Sequence, residues 1–486
     1  MRTTFNKYLL MVGLGTALVT STGCFKHLGD YGTMNNNPNA TTAPIPSALL
    51  TNALNGLNTG VWDQGGFRTT DGLYAQYFSE TQYTDASRYA RTTTNFDGFY
   101  SGVLEDLQNI INYNSDPATA ATAAAFGSNK NQIAIARILK AFYFWQITDT
   151  WGDIPYTQAL KGKGDIAYDT QDVIYKDLLK ELKEAVAQFD AGATVQGDIM
   201  YGGNTASWKK FANSMRLMIA LRMSKADATT GKAEFTAALA DPGGVINSAS
   251  DNGGLKAPGG TYQNPFYNYY VVVQRKDYAV SKTLTDALTN MNDERIAAYG
   301  SSNVGFPFGL TRADAVNFAN ANVNYARILE PSRRTETSPT YLITSEEVKL
   351  TRAEAAAIGW TTEVAATLYA DAIKDSWTRW GVYDATKYAA YMLQPSVALT
   401  GVGDVAKIAM QEWLSAYPDG TQGFSIWRKT GVPALAPAPG LTNIPRRLSY
   451  GSNEPQLNPA NYTTAAARYT DATGPDSQYG KVWWDK

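Results

Sequence analysis

Two stretches of the chain combine flat rings with short polar side chains. The first, Trp62 to Tyr89, carries Trp62, Asp63, Arg68, Asp71, Tyr83, Asp85, Arg88 and Tyr89; the second, Tyr262 to Arg275, carries Tyr262, Asn264, Tyr267, Asn268, Tyr269 and Tyr270. A sugar presents C–H faces that pack on aromatic rings and hydroxyls that bond to Asp, Asn and Arg. Exposed rings beside short polar groups are therefore what a sugar site needs. For any single Tyr a ring half-buried against the helices is the commoner outcome, so the clusters carry the expectation rather than their members.

Nucleophilic and metal chemistry find little to work with. The chain has one cysteine, Cys24, and one histidine, His27, three residues apart in a polar stretch. A single Cys excludes an intrachain disulfide and any CxxC motif, and Ser-His-Asp or Cys-His catalysis would have to rely on that one imidazole. A His-rich zinc site cannot be built, and no cofactor is called for. Paired-carboxylate glycoside hydrolysis is not excluded by counting, given 44 acidic residues. The chain nevertheless shows no paired-acid motif on neighbouring strand ends and no barrel of alternating strands and helices. The expectation is a binding protein, not an enzyme. The formal net charge of −2 offers no basic footprint for nucleic acid.

The amino-terminal residues read as an address. Arg2 and Lys7 precede an apolar run from Leu9 to Val19, followed by TSTGC ending at Cys24. A charged start, an apolar run too short to span a bilayer and small residues before a cut describe an export signal. The cysteine at the cut suggests the lipidated first residue of a lipoprotein, although Ser21 stands where an aliphatic residue is commonest. The organisation expected is a signal peptide over 1–23, a flexible tether over 24–45 rich in Asn, Thr and Pro, and one α-helical domain over 46–486.

Helices must position the two clusters. From Asn131 to Ala159 the sequence NQIAIARILKAFYFWQITDTWGDIPYTQA has a helical period that is apolar nearly all round, with only a strip at Arg137 and Lys140 for water, so it predicts a buried helix. Gly152 and Pro155 should end it, with Asp149 and Asp153 bonding backbone groups at the turn. An amphipathic helix follows over QDVIYKDLLKELKEAVAQFD, then another over SWKKFANSMRLMIALRMSKA, whose Lys209, Lys210, Arg216 and Arg222 are expected to face solvent or pair locally. Helix starts at Gln132, Gln171 and Ser207 lie 39 and 36 residues apart, near the spacing of helical-hairpin repeats but without their consensus residues. Residues 241–344 break this regime with Gly, Asn and Pro, except for a helix over Ser281 to Asn292. So long a loop, with so many rings, argues for binding rather than disorder. Helices resume at TSEEVKLTRAEAAAIGW, where Thr344 and Glu347 make a capping box.

Several of these landmarks, in order along nearly the whole chain, resemble the SusD/RagB family of outer-membrane nutrient-binding lipoproteins of Bacteroidetes. They are NNPNAT, YAQYFSETQYTDASRY, ARILKAFYFWQITDTWGDIPY, DIMYGGNTASWKKFANSMRLMIALRMSK, SEEVKLTRAEAAAIGW, IAMQEWL and IPRRLSYGSNE. The resemblance implies a mainly α SusD-like fold of tetratricopeptide-like helical hairpins with long irregular loops. It implies a lid on a TonB-dependent, SusC-like outer-membrane barrel that captures glycans or other nutrients at the cell surface, held to the membrane by lipid at Cys24. Trp151 to Tyr156, Arg446 and Arg447 would be scaffold. Ligand identity does not carry over, and capture of a peptide or a purely structural role for the loops stay open.

Overall fold

The computed structural model describes residues 43–59, 63, 66–90 and 94–486, and the compact body within it spans Ile45–Lys486. The expected signal peptide, Cys24 and most of the tether lie outside the described residues. Helices of eight or more residues are numbered here. They are α1 (Pro46–Gly56), α2 (Phe67–Tyr74), α3 (Val103–Ser115), α4 (Asn129–Trp151), α5 (Gln171–Gln188), α6 (Thr205–Arg222) and α7 (Ala228–Leu239) in the first half. The second half holds α8 (Lys282–Asn290), α9 (Arg312–Ala321), α10 (Ser345–Ala357), α11 (Ala365–Arg379), α12 (Ala385–Met392), α13 (Asp404–Ala416), α14 (Gly420–Thr430) and α15 (Pro459–Ala466).

The fold is mainly α. Sequence neighbours pack in pairs, α3 on α4, α4 on α5, α5 on α6 and α6 on α7; α10 then packs on both α6 and α11, and α13 and α14 close the stack, with α14 reaching back to α2. At the centre lies α4, buried from Ala141 to Trp151 as its all-round apolar sequence requires. Its one wet strip is spent on pairing: Arg137 Nη2 meets Glu184 at 2.7 Å and Lys140 Nζ donates to Gln108 at 2.7 Å. The Ser128 side chain caps its start, and Gly152, at φ +86, stops it. Trp145 and Trp151 are sealed completely; truncating either to Ala would cost ~3–5 kcal/mol.

Asp149 and Asp153 take different partners at this helix end. Asp153 Oδ1 accepts from the Gln171 backbone N–H at 2.9 Å, the turn role the sequence suggested. Asp149 bonds side chains instead: the Tyr175 hydroxyl, Trp484 Nε1 at 3.1 Å, Arg222 Nη1 at 3.2 Å and Ser425 Oγ at 3.4 Å. Two expected surface cations are thereby corrected. Arg222 is drawn inside by Asp149 and by Gln422 Oε1 at 2.8 Å, and Arg216 is buried among Asn213, Glu234 and Asp241, because a guanidinium can enter a core when its forked donors are matched.

Three short antiparallel ladders pin the loops to this stack. Strand β1 (Phe78–Glu80) pairs with β5 (Tyr278–Val280), Phe78 opposite Val280; β2 (Ile154–Pro155) pairs with β3 (Tyr168–Asp169); β4 (Gly253–Leu255) pairs with β6 (Thr340–Ile343) across a bulge. Residues 241–344 are more ordered than a Gly, Asn and Pro-rich stretch suggests. They hold α8 and α9 and a satellite core of Ala279, Phe306, Ala315 and Tyr325 beside the main one. The Thr344–Glu347 capping box is present at the start of α10. Among the described residues no helix is long and apolar enough to cross a membrane.

Candidate functional site

Much of the first stretch is scaffold. Trp62 lies outside the described residues. Asp63 holds the entry to α2, accepting from the Thr69 backbone N–H at 2.9 Å, and burial pushes its carboxyl above the usual range. Arg68 and Asp71, expected at a ligand, are core residues. The Arg68 guanidinium donates to Gln146 Oε1 at 2.8 and 3.1 Å and stacks on Phe67, while Asp71 Oδ2 accepts from Thr150 and Thr421, each at 2.9 Å. Burial lifts Asp71 to about 7. Both lie on α2, which the stack buries on every side, a fate that eight residues of mixed polarity did not announce.

Past β1 the chain turns outward. Tyr83 is half exposed, with the Arg312 guanidinium 5.6 Å from its ring centroid, and Asp85 is exposed. Arg88 braces neighbouring loops, donating to Gly309 O at 2.7 Å and to Pro439 O at 3.2 Å. Tyr89 is buried at φ +61, its hydroxyl accepting from Ala438 N–H at 3.1 Å, so it is a packing residue and not a ligand contact.

In the second stretch the side chains divide by face. Asn264 is buried and caps the turn Pro265–Tyr267, its Oδ1 accepting from Phe266 N–H at 2.9 Å and Tyr267 N–H at 3.2 Å while Nδ2 donates to Ser338 O at 3.1 Å. Tyr269 is buried, its hydroxyl accepting from Asp277 N–H at 2.8 Å, and its ring meets Tyr270 edge to face at 4.8 Å. Tyr262 is half exposed; Tyr267, Asn268 and Tyr270 are half-buried. Tyr270 is fixed by donating to Tyr278 O at 2.9 Å and by the Arg334 guanidinium 4.1 Å from its ring centroid.

The β1–β5 ladder brings the two stretches together. Thr81 donates its N–H to Asp277 O at 2.7 Å, so the turn bearing Tyr83 departs from the end of the segment bearing Tyr269 and Tyr270. On this face lies a depression of about 440 Å³, lined by Tyr267, Tyr270, Val271, Lys276, Arg327 and Arg334 with Pro331 and Thr335. A second cavity, of about 280 Å³ and of mixed aromatic and polar lining, is walled by other residues of the same segments, Asn264 and Phe266 from one and Arg333 from the other. Two further hollows lie on the helical stack. One, of about 430 Å³, sets Phe144 and Tyr156 among Gln108, Lys140, Asp177 and Glu181; the other, of about 700 Å³, lies beside Trp360 with Lys232 as its single charge. No group of acids, His and Cys suited to a metal occurs among the described residues.

Arg327, Arg333 and Arg334 were not foreseen, although ARILEPSRRTETSP sets three guanidiniums around Pro331 in a loop already marked as aromatic. Rings held by stacking guanidiniums, with amide and carboxyl groups alongside, can pack a sugar's C–H face and bond its hydroxyls.

Helical hairpins carrying a ring-and-arginine face define a scaffold for binding, and comparison with known proteins narrows it. Residues 38–451 match the SusD-like_2 family, described as "Starch-binding associating with outer membrane", and the chain belongs to that family. A solved chitin-binding protein superposes with a TM-score of 0.75 at 26% identity, covering 91% of this chain and 100% of its own. A chitin-binding SusD homologue from Flavobacterium johnsoniae gives 0.74 at 23% identity over 91% and 98%. A SusD homologue from Parabacteroides distasonis gives 0.76 at 19% identity over 91% and 98%. No curated protein matches the chain. The family is one of binding proteins associated with the outer membrane.

Proposed function

We propose that this protein is a surface lipoprotein that captures an oligosaccharide and passes it to a TonB-dependent, SusC-like barrel. The observation that carries this reading is the family match over residues 38–451, whose description is of starch binding at the outer membrane. The depression under Tyr267 and Tyr270 is the capture site: their half-buried rings pack the sugar faces, and Arg327, Lys276 and Thr335 reach the hydroxyls at its rim. Tyr83, Asp85 and Tyr262 extend that face. The relative at 26% identity is named a chitin-binding protein, which puts chitin oligosaccharides beside maltooligosaccharides at the head of any test.

The test is calorimetric titration of the full chain, in detergent, with both oligosaccharide series and with a peptide panel. Binding to one glycan series, weakened on the order of tenfold by Tyr267→Ala, supports capture at this face. Binding confined to peptides overturns the glycan reading. Deleting Tyr262 to Tyr270 separates site from interface: loss of barrel association with ligand binding intact would make the loop a contact with the transporter. Anchoring is tested by Cys24→Ser, which should move the protein from the membrane pellet to the soluble fraction, since each buried acyl CH₂ contributes ~0.8 kcal/mol.

A further inference from the structure

The 280 Å³ cavity behind the capture face has a lining with much of its polar capacity unspent. Segments around 264–266, 329–333, 338–347, 379–380 and 415–419 wall it. The Arg333 guanidinium has no hydrogen bond or ion pair to any described residue, and it lies over Gly381 at φ +67, where a methyl group would collide with it. Arg379 uses Nε on Glu346 and leaves its terminal nitrogens without partners among the described residues. Glu347 takes both Thr344 donors on one oxygen, N–H at 2.9 Å and Oγ1 at 2.7 Å, and Asp419 uses only Oδ1, on Gln422 N–H at 3.1 Å. Phe266, Tyr341, Trp380 and Tyr417 supply the flat surface between these groups.

Two guanidiniums and two carboxyls in one small space suit a neutral ligand whose groups both donate and accept. Vicinal hydroxyls do this, each taking a hydrogen bond from a guanidinium while giving one to a carboxyl oxygen. The volume falls below the ~300–1,000 Å³ of clefts that hold drug-sized ligands, so it fits one ring and not a chain. Resting on the capture reading, we infer that this cavity is a chain-end pocket, which holds the terminal pyranose of the oligosaccharide whose following units lie across Tyr267 and Tyr270. The two spaces are neighbours along the same two segments: Asn264, Phe266, Ser332 and Arg333 line the pocket, and Tyr267, Tyr270, Arg334 and Thr335 line the depression. Burial lifts Glu347 to about 8, so near neutrality its carboxyl also donates and suits an uncharged sugar.

The experiment titrates the full chain with N-acetylglucosamine and its tetrasaccharide, with glucose and maltotetraose, and with alanyl-alanine as a zwitterion of similar size. Arg333→Gln removes the free guanidinium, and Gly381→Ala displaces it without touching its charge; near-UV circular dichroism identifies whichever variant keeps the native fold. Each pocket variant should weaken the monosaccharide and its tetrasaccharide alike, on the order of tenfold, while Tyr267→Ala should weaken the tetrasaccharide alone. Tetrasaccharide binding that responds to Tyr267→Ala but to neither pocket variant would overturn the pocket and leave capture standing. Alanyl-alanine binding lost with Arg333, with no monosaccharide bound, would overturn the sugar assignment. No sugar bound at all would overturn the capture reading and the pocket with it.

Discussion

At the residue scale the polar interior is the telling feature. Thr150 and Thr421 both donate to Oδ2 of Asp71, and Oδ1 is buried with no partner, so the group sits most comfortably with a proton on Oδ1. Burial, only partly opposed by Arg428, raises it from 3.8 to about 7. A carboxyl raised on folding binds its proton more tightly in the native state. Its stabilising contribution is therefore complete below the unfolded value and is lost as pH rises through about 7. Asp71→Asn keeps the acceptor and removes the titration, so urea midpoints of this variant should fall less between pH 5 and pH 8 than those of the native protein. Equal slopes would place the pH dependence elsewhere. Residue types did not reveal this: Asp71 and Arg68 look like sugar ligands in sequence, and only the packing of α14 on α2 shows that no ligand can reach them.

At the scale of elements, what was legible followed periodicity and capping. The apolar-all-round run became α4, and Thr344 with Glu347 became the cap of α10, because both are local patterns that tertiary packing reinforces. The ladders that tether the loops were not legible, since strands of two to four residues carry no readable alternation. Helix α9 was likewise hidden, its sequence RADAVNFANA lying inside a stretch judged by its Gly and Pro content. Asn264 joins two of these elements by capping Pro265–Tyr267 while holding Ser338. Asn264→Ala should therefore cost ~1 kcal/mol in urea denaturation and, by loosening the turn under Tyr267, weaken glycan binding several-fold. Stability lost with binding intact would separate the cap from the site.

At the scale of the whole molecule the later chain repeatedly returns to brace the earlier. Arg447 donates to Trp151 O at 3.0 Å and pairs with Asp476 at 2.8 Å, as expected of scaffold, and Arg446 pairs with Asp485. The most demanding return is to Asp149, whose partners come from positions 175, 222, 425 and 484. A sealed carboxylate missing its indole donor keeps part of its desolvation cost, on the order of 1–3 kcal/mol. A fragment ending at residue 430 should accordingly show broad, uncooperative melting, and sharp melting of that fragment would show that the last segment is dispensable. The consequence concerns timing: a polypeptide emerging from the ribosome cannot give Asp149 its indole donor until position 484 has been made, more than three hundred residues after the carboxylate itself, so the centre of the stack is completed late in synthesis.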